Sequence, residues 1–230
     1  MVEEMSVSGW GRAAMVTGAC LCITAVPADE FDLRGYGAGL YVGRDETGIA
    51  NEAAAPELQA DRIGIRFSER VSGHLVLGLQ GGIVTADMAG QALTGGMDLT
   101  GNFLGMDLSG TILAGGRWNL DYRMGLAYQT AKDESDGLRI ELDWLESALS
   151  FTLGLAITDA VSIYAGSRFR KLELDQRASG DINETTEFAE QDRVDALAGV
   201  VLEVDPGGFI EMAVHRGAGD GFTLEFSREY

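Results

Sequence analysis

Cysteine, proline, lysine and histidine are all scarce in this chain of 230 residues. The two cysteines, Cys20 and Cys22, share one apolar segment near the start. Removing that segment would leave neither a disulfide framework nor a thiolate metal site. The cations are nearly all arginine, the only lysines being Lys132 and Lys171, and arginine suits buried, forked hydrogen bonding. Only His74 and His215 offer an imidazole. No phosphate-binding glycine loop and no zinc motif occurs. No stretch beyond the first 28 residues reads as a membrane-spanning helix.

Acid is in excess. The 36 acidic and 17 basic residues give a net charge of -19, which repels phosphate backbones and excludes nucleic-acid binding. Glycine is also abundant, at 32 residues against 3 prolines. Without a G-x-y period this argues against collagen and suits strands that bend, bulge and pack closely.

Residues Ala13 to Val26 form an apolar run of signal-peptide length preceded by Arg12. Val26-Pro27-Ala28 places small residues for cleavage before Asp29. Glu3 and Glu4 depart from a positive leader, and a start at Met5 would remove them. Thr17 and Ala19, three residues before the cysteines, do not fit a lipoprotein signal. The expected division is a signal peptide at 1–28 and one exported body at 29–230.

From Phe31 onward the apolar period is two. Leu120, Tyr122, Met124, Leu126 and Tyr128 fall on one face of a strand, with Asp121, Arg123, Gly125 and Ala127 on the other. The same alternation predicts ten strands, at 31–44, 60–70, 74–86, 103–115, 119–130, 138–157, 161–175, 190–204, 208–217 and 221–230. Parity changes near Gly35, Trp144-Leu145 and Lys171-Leu172 read as bulges or misplaced boundaries. The connections alternate between long loops (45–59, 87–102, 176–189, with 131–137 intermediate) and tight turns at 71–73, 116–118, 158–160 and 205–207. Only the hairpin around 217–220 breaks the rhythm. Long outer loops alternating with short inner turns form the meander of an up-and-down antiparallel barrel.

A soluble β sandwich shows the same alternation with its apolar face hidden. Three features favour a membrane barrel instead. The polar face carries small residues and paired charges. Trp118 and Tyr122 lie toward one rim, and Trp144 and Tyr128 toward the other, as interfacial girdles do. The chain ends on an amphipathic strand in which Phe222, Leu224, Phe226 and Tyr230 alternate. That ending resembles the terminal strand of outer-membrane barrels, although Arg228 stands where an apolar residue is usual. The glycine-rich Gly35-Tyr-Gly-Ala-Gly-Leu-Tyr-Val-Gly43 resembles the first strand of small opacity-type, porin-like barrels of Gram-negative bacteria. The alternation and turn rhythm predict an all-β transmembrane barrel of ten strands, or eight if 31–70 or 208–230 is miscounted, and the resemblance implies the same architecture. It also implies residence in the outer membrane among lipid and lipopolysaccharide, and insertion by the barrel-assembly machinery. It implies no activity.

Inward faces are expected to carry Arg34, Arg62, Arg66, Arg123, Arg168 and Arg170 against Asp107, Asp121, Glu146, Asp195, Glu203, Glu211 and Glu225. Counting across hairpins sets Arg170 opposite Asp195 and Glu211 opposite Glu225, with Glu203 one strand away and Arg34 as counter-ion across the closing seam. This set is either a salt-bridged plug or a proton- or cation-responsive constriction. The leading expectation is a non-catalytic barrel without cofactor or metal, structural or a narrow pore. Its competitors are surface binding through the long loops and hydrolysis at His215 with Asp195 or Asp220. Asp133-Glu-Ser-Asp136 lacks the ligand spacing of a calcium loop, and Asn183-Glu184-Thr185 matches a glycosylation pattern that bacterial export makes irrelevant.

Overall fold

The computed structural model describes residues 35–230, except 52, 92, 95, 96, 136, 191 and 192. The expected signal peptide and Arg34 therefore lie outside the described residues. Eleven antiparallel strands follow in order: β1 (Tyr36–Ala50), β2 (Glu57–Ser72), β3 (Leu75–Ala89), β4 (Leu99–Gly115), β5 (Trp118–Ser135), β6 (Leu138–Ala156), β7 (Val161–Gly180), β8 (Glu184–Glu190), β9 (Val194–Asp205), β10 (Gly208–Gly217) and β11 (Gly219–Glu229).

Ten of them close a ring. Neighbours in sequence pair around it, β7 pairs with β9, and β1 meets β11 from Gly37↔Glu229 to Thr47↔Gly219. The expected up-and-down barrel of ten strands is what forms. The start of β1 and the end of β11 lie together at one end, here the lower end, as an even strand count requires.

The eleventh strand, β8, changes the upper end. β9 pairs with β7 only from Val161 to Phe169. Above that level β7 pairs with β8 from Glu173 to Ala178. β8 in turn reaches β1 at Ile49 and Ala50. The wall thus narrows from ten strands below to eight above (β1 to β7 plus β8). The short hairpin at 217–220 has its reason here: β10 and β11 stop where the narrower ring begins.

Four sequence expectations are corrected at this end. The segments 45–59 and 176–189 are largely strand rather than long loops, and 87–102 contributes strand at both edges. β8 occupies residues read as loop. Pairing runs without a shift through Trp144-Leu145 and Lys171-Leu172, so no bulge lies there. Trp144 is not an interfacial anchor but sits inside the upper barrel, 1 % exposed.

The cause is an inversion of polarity along strands whose parity never changes. On β6, Ile140, Leu142 and Trp144 face inward above, while Arg139, Glu141 and Asp143 face outward. Lower on the same strand Glu146, Ser150 and Thr152 face inward, and Leu149, Phe151, Leu153 and Leu155 face outward. β7 repeats this, with Leu172 and Leu174 buried above and Ile163 and Phe169 exposed below. The upper barrel is an apolar core in a polar coat, and the lower barrel is the reverse. The register irregularities fall at the lower end, between Arg70 and Ser72, Thr111 and Leu113, and Gly208 and Phe209.

Candidate functional site

The lower interior is filled by charge. Period-two alternation turns every second side chain inward, and closure brings those of distant strands together. Near the floor, Asp121 accepts hydrogen bonds from Thr111 (2.7 Å) and Asn119, and Glu211 accepts one from the Tyr164 hydroxyl. Glu211 stands directly opposite Glu225 in the β10–β11 register, as the hairpin count predicts.

One layer higher, Arg66 forks onto Asp107 at 2.6 and 3.1 Å and reaches Glu225 at 3.4 Å. It is therefore Arg66 that meets the carboxylate for which Arg34 was the expected counter-ion. Arg123 lies 3.8 Å from Asp107 with its side chain half exposed to the lumen. Glu203 does not join the group. It pairs with Phe209 rather than Glu211 and is exposed near the lower rim. Tyr41 and Phe103 pack edge to face beside this layer, with centroids 5.5 Å apart.

The densest layer sits where ten strands become eight, and Asp45 is its centre. Arg62 bonds Asp45 and also Glu146 (2.9 Å) and Gln129 (2.7 Å). Arg170 Nη1 and Arg168 Nη2 lie 3.5 and 3.7 Å from Asp45, and His215 Nε2 lies 2.8 Å from it. Arg170 also holds Glu190 of β8 (2.7 Å) and Thr47 of β1 (2.8 Å), spanning the short seam between those strands. Arg168 holds Asp195 at 2.7 Å. Asp195 further accepts the backbone N–H of Gly219 at 2.9 Å. A side chain at Gly219 would collide with Arg170, since a Cβ there lies 2.4 Å from Nη2. Such a layer holds together because each buried charge stands against one of opposite sign, with Arg62 and Arg170 each bonding more than one strand.

Open space among the described residues of this interior lies in separate pieces. A cavity of 230 Å³ lies between these two layers, lined by Asp45, Arg62, Arg66, Asp107, Glu146 and Arg168 among others. A second of 430 Å³ lies lower, lined by Ser109, Thr152, Tyr164 and Glu211, and Arg123 borders both. Above the Asp45 layer, Ile49, Leu58, Leu99, Ile140, Leu142, Trp144 and Leu174 pack with at most 2 % of their surface exposed.

No family model matches the chain, and no curated protein does. Solved structures do. The translocator domain of the autotransporter NalP from Neisseria meningitidis is similar over 85% of this chain and 88% of its own, at 9% identity and a TM-score of 0.50. The outer membrane protease OmpT from Escherichia coli is similar over 87% and 98%, at 8% identity and a TM-score of 0.49. An outer membrane channel from Pseudomonas putida F1 is similar over 90% and 100%, at 10% identity and a TM-score of 0.47. The chain has the fold of a small outer-membrane β-barrel. In such barrels the end that carries the tight turns is the periplasmic one, and lipid covers the apolar outward belt. The upper barrel is polar outside, with Arg139, Glu141 and Asp143 facing outward on β6.

Of the expected lumen residues of this outer-membrane barrel, Arg62, Arg66, Arg123, Arg168, Arg170, Asp121, Asp195, Glu211 and Glu225 all face inward. Besides Glu203 and the counter-ion of Glu225, their pairing departs from expectation at one further place. Asp195 lies opposite Arg168, not Arg170, because the hairpin count assumed a loop where β7 extends and β8 intervenes. Asp45, Thr47, Gln129 and Glu190 went unread, three of them because their segments were taken as loops or loop edges. The signal was present: Tyr41, Gly43, Asp45, Thr47 and Ile49 keep one parity without a break. His215 is inward as expected, but its neighbour is Asp45. Asp220 instead lies on the exposed surface near Arg216.

Proposed function

We propose that this chain is a closed, non-catalytic structural barrel of the outer membrane, exported with a signal peptide at 1–28 that is then cleaved. The observation that carries this is the stacking of two seals at the upper end. The Asp45 layer ties β1, β2, β7, β9 and β10 together across the lumen. Among the described residues the core above it is packed and largely apolar, with Thr94 and Gln176 as buried polar exceptions, which opposes the passage of a hydrated ion. The periplasmic half holds polar cavities, so the closed end is the one toward the outside. Of the two roles weighed from sequence, structural barrel and narrow pore, this geometry favours the first.

The reading against catalysis rests on His215. Its imidazole is buried beside a carboxylate already shared with arginines, where it fixes charge rather than meeting substrate. Lipid, lipopolysaccharide and the assembly machinery remain the partners of this proposal, the last through the terminal strand. Planar-bilayer recording of the purified protein tests it. Closed bilayers at moderate voltage are expected, and steady, reproducible conductance steps from the wild-type protein would overturn it.

A further inference from the structure

The lipid-facing wall carries a groove of 480 Å³ near its periplasmic edge, crossing the seam between the last strands and the first. Its apolar walls are Ile65, Phe67, Ile210 and Phe226. Its lower margin is a row of laterally paired positions, one from each of five strands: Asp205, Gly208, Arg228, Ala38 and Phe67. Ala38, between Arg228 and Phe67, is too short to fill the wall, so the surface dips there.

The row contains the residue that departs from the terminal-strand pattern. Arg228 follows Phe222, Leu224 and Phe226 on the outward face, where an apolar side chain is usual. Its partner Asp205 would point inward by parity, as Glu203 does. The register shift between Gly208 and Phe209 re-aims it outward. Gly208 completes the arrangement: a Cβ there would lie 2.2 Å from Asp205 Oδ1. Only the bare backbone of Gly208 lets the carboxylate lie across β10 and approach Arg228, at 3.2 Å. Both charged side chains remain about half exposed, 52% and 49%. A bulge, a glycine and a misplaced arginine thus combine to set one cation and one anion side by side at the edge of the apolar belt.

We propose that this groove binds one ethanolamine phospholipid of the periplasmic leaflet. Its apolar part faces the bilayer, so hydrocarbon rather than water occupies it. The head-group row then decides which lipid. A half-exposed guanidinium with five donors takes a phosphate, and a half-exposed carboxylate with spare lone pairs takes a primary ammonium. An ethanolamine phospholipid offers those two groups two carbons apart. A choline head group has no N–H to give Asp205. A glycerol head group leaves its net charge against that carboxylate.

The test uses protein reconstituted in nanodiscs of equal ethanolamine, choline and glycerol phospholipids with matched acyl chains. The lipids retained after detergent extraction are read by native mass spectrometry. One ethanolamine lipid per barrel, held about tenfold over the other two, is expected from one charge-assisted contact the others lack. Arg228→Leu, which restores the usual apolar residue, and Ala38→Phe, which fills the dip, are each expected to abolish that preference. Heat-modifiable gel migration verifies that both variants are folded. Equal retention of the three lipids, preference for the glycerol lipid, undiminished retention in folded Ala38→Phe, or a lipid-free dimer covering the groove would overturn the proposal.

Discussion

The two halves of β6 obey opposite rules within one unbroken strand. Below Leu145 the large apolar side chains look out and the charges look in. From Trp144 upward the charges look out and the apolar side chains look in. Neither backbone pairing nor parity changes between them. What changes is the solvent outside the wall. Hydrocarbon outside requires an apolar coat and tolerates a polar lumen, whereas water outside restores the ordinary inside-out order of a soluble protein. A membrane barrel that grows out of its bilayer becomes a soluble barrel without starting a new domain.

That comparison can be broken most severely in the upper core. Trp144 fills the interior just above the Asp45 layer. Trp144→Ala is expected to cost about 4 kcal/mol of folding stability, as large-to-small changes in packed cores do. Trp144→Phe should cost clearly less, since the indole Nε1 has no hydrogen-bond partner among the described residues. Urea titration in detergent micelles, followed by tryptophan fluorescence and gel migration, measures both. A loss below about 1 kcal/mol from Trp144→Ala would mean that the upper barrel is not packed as a core.

Next in size is the boundary layer. Asp45→Ala strips the shared carboxylate from Arg62, Arg168, Arg170 and His215 and leaves buried cations underpaired. A loss of about 3 kcal/mol is expected by the same titration. No change would show that the layer is loose and hydrated.

The smallest contrast sharpens the solvent argument itself. Leu149 faces lipid near the middle of the outward belt, and Glu173 faces water on the neighbouring strand above it. Leu149→Arg should destabilise by about 2 kcal/mol. Glu173→Arg should fall within about 0.5 kcal/mol of wild type. Equal effects would remove the reason for placing the membrane edge between them.

How much of this was legible in the sequence follows from the same inversion. Leu120 to Tyr128 and Val194 to Val204 alternate cleanly because each runs through the lipid belt, so the ring of ten and its direction could be read. Ile140, Leu142 and Trp144 have the same parity as Glu146, and a reader who expects every apolar residue to face outward sees a slip instead. Asp45 was missed on those terms, along with β8, whose Glu184-Thr-Thr-Glu-Phe188 is a strand with an apolar inward residue but has the composition of a loop. The lumen arginines were found because they lie on the lipid-level faces. Their partners were partly misjudged, because hairpin register depends on turn positions that the inversion hid.

Strand continuity across the membrane edge has a mechanical result. β6 carries seven residues from Leu138 to Trp144 above the lipid belt, roughly 15–20 Å of rise at the rise and tilt of barrel strands. No hinge interrupts the pairing of β5, β6 and β7 over that distance. The upper end is therefore the tip of a stiff mast held at fixed height and bearing above the belt, with the segment 181–183 riding on top like a masthead.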